Sequence, residues 1–157
     1  MDILAKMKPA DLGVAGAVLG AGHGRVVAGS VVLDYDGRCL RRKRLVTEDG
    51  ADFLVDLPQT ISLASGAAFA LADGRAVEVI EAREPVLVIS GDLPRLAWHI
   101  GNRHCPCELG GDHLVIRADP VLEAMLVQLG AKITRSFAPF RPGGGAYGHG
   151  RTFGHSH

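Results

Sequence analysis

Seven histidines are spread unevenly along the 157 residues, and their neighbours decide what each can do. His149, His155 and His157 fall within the last nine residues, and His104 stands directly before Cys105-Pro106-Cys107. Neutral imidazole is a good ligand for nickel, copper and zinc, and a His-x-His pair on pliant backbone brings both rings to one ion at little strain. His155-Ser156-His157 is such a pair, so the C-terminus can reach for metal. The competing reading, solvated tail residues or a purification remnant, fits less well because a tag is normally an uninterrupted histidine run. Ligation needs neutral imidazole, so binding at such a site weakens as the solution is acidified.

His104 ends the stretch Gly101-Asn102-Arg103-His104, whose Gly and Asn suit a tight turn that presents the next side chain outward. One imidazole does not hold a divalent ion tightly. A metal at His104 therefore requires the tail, a thiolate, or the same residue from a second subunit, which a two-fold axis supplies when a residue lies near it. Cys105 and Cys107 offer soft thiolate donors, but their spacing is not the Cys-x-x-Cys of structural zinc sites and no second pair exists. The alternative is that both are small buried hydrophobes on a strand, and the sequence leaves the two readings open. His23, His99 and His113 lack local partners and read as structural.

No enzyme motif is present: the chain has no Gly-x-x-x-x-Gly-Lys-Ser/Thr phosphate loop, no His-Glu-x-x-His and no Gly-x-Ser-x-Gly. A hydrolytic metal site at His104, Cys105 and Cys107 would also need a placed general base, and none is evident. Seventeen basic and 17 acidic side chains cancel, which leaves no global field for nucleic acid or an anionic membrane. No leader pattern opens the chain and no apolar run of membrane-spanning length occurs, so the expectation is a cytoplasmic protein. The odd cysteine number, Cys39, Cys105 and Cys107, fits reduced thiols there.

The elements that must position these groups form an α+β pattern. Residues 1–80 read as a small antiparallel β domain, with 1–25 weakly structured. Its short Val- and Leu-rich runs, 26–35, 39–46, 52–57 and 67–72, are separated by turn signals such as Asp36-Gly37, Glu48-Asp49-Gly50, Pro58 and Asp73-Gly74. The basic run Arg41-Arg42-Lys43-Arg44 alternates its side chains across such a strand, either facing a partner or guarding a solvated edge.

Residues 81–140 read as a ferredoxin-like βαββαβ domain. Val86–Ser90 is a strand, and a helix follows with Leu93, Leu96, Ala97 and Ile100 on one face, closed by Gly101. A short extended piece at 105–109 and the strand 113–117 come next. Asp119 then caps a second helix begun by Pro120 and ended by Gly130, before a last strand at 131–137. Residues 141–157, with six glycines and no apolar pattern, read as a flexible Gly/His tail.

With these residues in place, the chain from about Val26 onward resembles the urease accessory nickel metallochaperone family. Three stretches carry the likeness: Gly101-Asn102-Arg103-His104 with Pro106; Asp119-Pro120-Val121-Leu122 with Met125-Leu126 and Leu129-Gly130; and Phe140-x-Pro142 leading to Gly145-Ala146-Tyr147-Gly148-His149-Gly150 and the terminal His-Ser-His. Arg41–Arg44 and Asp56-Leu57-Pro58 are similar to the family's N-terminal domain. The resemblance implies a partner-binding β domain, a ferredoxin-like metal-binding domain and a homodimer. It also implies delivery of Ni(II) to the urease apoprotein with the urease accessory GTPase complex. It makes His104, at the dimer axis, and the tail histidines His155 and His157 nickel ligands, with His149 a further candidate and Cys105 and Cys107 open. Ala118 and Pro120 stand where some members carry auxiliary histidines. Nickel rests on the resemblance alone, because imidazole sites also take Zn(II) or Cu(II). The alternative to metal delivery is a polypeptide-binding co-chaperone module with incidental metal affinity.

Overall fold

A computed structural model of the chain describes residues 10–143. Two units meet between Glu81 and Ala82. The first carries β1 (Asp11–Leu19), β2 (Val27–Leu33), β3 (Cys39–Val46), β4 (Asp52–Ser62), β5 (Ala68–Leu71) and β6 (Ala76–Glu81) in one sheet of order β2-β6-β5-β1-β4-β3.

Two expectations are corrected here. The segment 1–25 was expected to be weakly structured, but Asp11–Leu19 is an inner strand, pairing parallel with β4 and antiparallel with β5. Its register shifts between Asp11 and Val14 on one side and between Ala15 and Ala17 on the other, and Gly13 sits at φ 86°. Bulges of this kind break the period-2 pattern on which strand recognition depends. The sheet is also mixed rather than antiparallel, since β1/β4 and β2/β6 are parallel pairs. Turn spacing reports hairpins such as β3/β4 and β5/β6; it carries no information about long-range partners.

β2 and β3, the two outer strands, are joined by only the residues between Leu33 and Cys39, in a turn where Arg38 N–H donates to Asp34 C=O at 3.0 Å. Five strand spacings of a flat sheet would separate them by about 24 Å, beyond the reach of six backbone steps that turn back on themselves. The sheet must therefore roll, and it encloses Ala15, Phe53, Val55, Phe69 and Val77, all 0% exposed. β4 runs on past Pro58 because the β3/β4 register jumps from Arg42↔Asp56 to Leu40↔Ile61, and Pro58 sits in that gap where no ladder donor is required. Arg41, Arg42, Lys43 and Arg44 are all exposed on edge strand β3; Arg42 lies 3.9 Å from Asp56 and Arg44 3.0 Å from Asp52.

The second unit contains β7 (Arg83–Ser90), α1 (Leu93–Asn102), β8 (Glu108–Leu109), β9 (Leu114–Arg117), α2 (Pro120–Gln128) and β10 (Lys132–Pro139). The sheet order is β10-β7-β9-β8 and every pair is antiparallel. Asp92 caps α1 by accepting from the Arg95 N–H, and the Asp119 carboxylate accepts from the Val121 and Leu122 N–H groups at 2.9 and 3.1 Å. Each helix buries one stripe, Leu96 with Ile100 and Leu122 with Leu126, against Leu87, Ile89, Leu114 and Ile116 of the sheet. Arg135 of β10 ties α2 down through both oxygens of Glu123, at 2.9 and 3.0 Å. No helix among the described residues is long and apolar enough to cross a membrane.

Candidate metal centre

The end of α1 builds the candidate site. Gly101 was expected to close this helix, but the helix continues to Asn102 and its cap is Arg103. The His104 N–H donates to Gly101 C=O at 3.0 Å and the Cys105 N–H to Ile100 C=O at 3.4 Å. These are the paired bonds of a Schellman turn, which demands a left-handed residue just past the cap. Glycine usually takes that place; here it is His104, at φ 54°, the one non-glycine residue with positive φ among those described. A side chain held there costs roughly 1 kcal/mol against glycine. In exchange the imidazole stands exposed beyond the helix.

The same turn recurs at the end of α2. Gly130 N–H donates to Val127 C=O and Ala131 N–H to Leu126 C=O, both at 3.0 Å, with Gly130 at φ 87°. One unit thus ends its two helices identically, with glycine in one and histidine in the other.

Cys105 and Cys107 follow a different course. Both are half-buried and pack against the core that contains Ile100 and Leu114. Cys105 Sγ lies 3.5 Å from the Pro106 carbonyl oxygen and Cys107 Sγ 3.7 Å from that of Glu108. Burial pushes both thiols up, Cys107 to about 11, with the nearby Cys105 adding to the effect. Metal ligation needs the thiolate, which burial disfavours. Among the described residues no three His, Cys, Asp or Glu side chains converge as a metal set, so His104, Cys105 and Cys107 do not form one together. His149, His155 and His157 lie outside the described residues.

The other histidines are placed structurally. His23 accepts the Arg25 N–H through Nδ1 at 2.9 Å and approaches Glu78 at 3.5 Å through Nε2. His113 Nδ1 is 2.8 Å from Asp112, and a Cβ on Gly110 would collide with its ring, 2.5 Å away. His99 is half-buried with Trp98 edge-on to it, ring centroids 5.0 Å apart.

A contact that sequence reasoning missed lies where the tail begins. Phe140 is 0% exposed, the Arg141 N–H donates to Glu108 Oε1 at 2.9 Å, and the Gly143 N–H to Cys107 C=O at 3.3 Å. No local pattern signals it, since the partners are 33 residues apart.

Fold and site define a two-unit α+β protein that displays a histidine at a position of backbone strain. Comparison with known proteins then places it. The model of the UreE urease accessory protein C-terminal domain matches residues 78–157, and that of the N-terminal domain matches residues 15–82. The urease accessory protein UreE of Rhodobacter capsulatus is 58% identical over 143 residues, covering 91% of this chain and 92% of that protein. UreE of Paracoccus denitrificans is 65% identical over 122 residues, covering 78% and 79%. UreE of Cereibacter sphaeroides is 61% identical over 130 residues, covering 83% and 71%. The chain belongs to the UreE urease accessory protein family.

Proposed function

We propose that this chain is a cytoplasmic metallochaperone that carries Ni(II) to apo-urease during urease maturation, catalysing no reaction of its own. The observation that carries this reading is His104: a left-handed position that α2 fills with glycine is given in α1 to an exposed imidazole. Strain retained at one residue is a pointer to function. We read the second unit as the ferredoxin-like metal-binding domain, and the protein as a homodimer whose two copies of His104 meet on a two-fold axis. Two imidazoles on rigid backbone set the site, and His155, His157 and His149 from the tails complete a four- to six-coordinate sphere that nickel accepts. Ligands on such a tail exchange readily, which suits a carrier that must release its cargo. Zn(II) and Cu(II) would compete for the same nitrogens. The recipients on this reading are the urease apoprotein and the urease accessory GTPase complex.

The test is delivery. Nickel-loaded wild type should activate apo-urease in the presence of the accessory GTPase complex, and His104→Ala, loaded at the same total nickel, should not. Equal activation by both would remove His104 from the carrier role.

A second reading, a polypeptide-binding role for the first unit, is favoured by Val32 and Ile80. These residues are register partners on β2 and β6, yet 45% and 43% exposed. Exposed apolar side chains paired on a sheet are a surface that an apolar stretch of polypeptide could cover. The two roles are compatible, on separate units.

A further inference from the structure

Gly101 lies inside α1 on an exposed stretch, and nothing within the chain accounts for it. It is not among the glycines with positive φ, and a Cβ built there would meet nothing within 4 Å. Glycine is the poorest helix former after proline, so alanine would serve the helix better. The helix-ending turn does not ask for glycine here either. Three residues before the left-handed position stands Gly101 in α1 but Val127 in α2, and Val127 is exposed. A glycine left bare on an open helix face is a place for the close approach of another body.

Trp98 stands three residues before Gly101, so the two are neighbours on the face of α1 that turns away from Leu96 and Ile100. Trp98 is 63% exposed, a large apolar surface left open. At the matching places α2 has Ala124 and Val127, small where α1 is large and larger where α1 is bare. α1 alone sets a bulky knob beside an empty hole. Such a patch is complementary to a second copy of itself, because across a two-fold axis each knob meets the other copy's hole.

We propose that this face of α1 is the surface on which two copies of the chain associate, with Trp98 of one protomer seated on Gly101 of the partner subunit and the reverse. The proposal rests on the reading of the protein as a homodimer and names the surface that makes it. The Gly101 C=O accepts the His104 N–H at 3.0 Å, so an axis at this contact brings the two imidazoles together.

Analytical ultracentrifugation of full-length chains over a range of concentrations tests this, with the emission of Trp98, the only tryptophan in the sequence, read on the same samples. Wild type should form a dimer, and the emission should shift to the blue as it forms. Trp98→Ala and Gly101→Leu should each raise the dimer dissociation constant about ten-fold or more, as loss of a central aromatic anchor does, with the far-ultraviolet circular dichroism unchanged. Combined in one chain they should cost less than the sum of the two, since the introduced leucine then faces the space that the indole vacates. Strict additivity would overturn the direct contact. A dimer whose Trp98 emission does not shift, or that either single variant leaves intact, would overturn the surface and leave the homodimer reading standing. A wild type that stays monomeric at every concentration, with and without nickel, would sink the homodimer reading and this surface with it.

Discussion

His104 and Gly130 occupy the same position of the same helix-ending turn, at φ 54° and φ 87°. The matching hydrogen bonds, to Gly101 and Ile100 in one turn and to Val127 and Leu126 in the other, make each an internal control for its counterpart. If the imidazole is there for ligation, stability and binding must oppose one another at this residue.

His104→Gly should therefore raise unfolding stability by roughly 1 kcal/mol while weakening nickel binding. Gly130→Ala, where a Cβ meets nothing within 4 Å and only backbone strain is added, should lower stability by roughly 1 kcal/mol and leave nickel affinity unchanged. Urea midpoints read the first quantity and calorimetry the second. A destabilised His104→Gly would show that the side chain serves the fold.

The buried thiols should not bind the ion. Nickel-loaded protein should lack a sulfur-to-metal charge-transfer band, and Cys105→Ala with Cys107→Ala should keep wild-type affinity. A band that disappears in the double variant would make the thiolates ligands, against the protonated state that burial favours.

The tie between α2 and β10 should depend on pH. Arg135 holds the Glu123 carboxyl below its ordinary range. A depressed carboxylate contributes stability above its unfolded pKa, and that contribution is lost as the pH falls through the lowered folded value. The stability gap between wild type and Glu123→Gln should thus be present at pH 7 and shrink steadily as the solution is acidified below about 4.3. A gap that stays constant to low pH would mean the pair acts only through packing.

Much of this was legible in the residues, and the rest was hidden for identifiable reasons. Asp119-Pro120 and Gly130 mark the limits of α2 by local chemistry, and the structure agrees. α1 was expected to end at Gly101 because glycine is the usual left-handed residue, but the chain put His104 there and left Gly101 inside the helix. β1 was hidden by its two bulges and small side chains, and the parallel pairs by their distance along the chain. The turn that presents His104 outward was expected from Gly101 and Asn102, and the structure has His104 exposed at a left-handed turn. The Glu108 contact was not expected, because its partner Arg141 lies beyond an entire helix and two strands.

Tail ligands should substitute for one another. His155→Ala or His157→Ala alone should weaken nickel binding modestly, and loss of His149, His155 and His157 together should weaken it far more, with the thermal unfolding midpoint unchanged. A single tail substitution as damaging as the triple one would indicate a unique ligand.

The central claim is that His104 makes one nickel site shared between two subunits. One imidazole per subunit is too few, no three His, Cys, Asp or Glu side chains converge as a ligand set among the described residues, and on the proposed reading a two-fold axis would supply the missing nitrogen. The direct measurement is titration of metal-free protein with nickel, with the oligomeric state read in parallel by analytical ultracentrifugation. The account predicts one tight ion per dimer, lost in His104→Ala; a tight stoichiometry of one ion per monomer that survives in His104→Ala would contradict it.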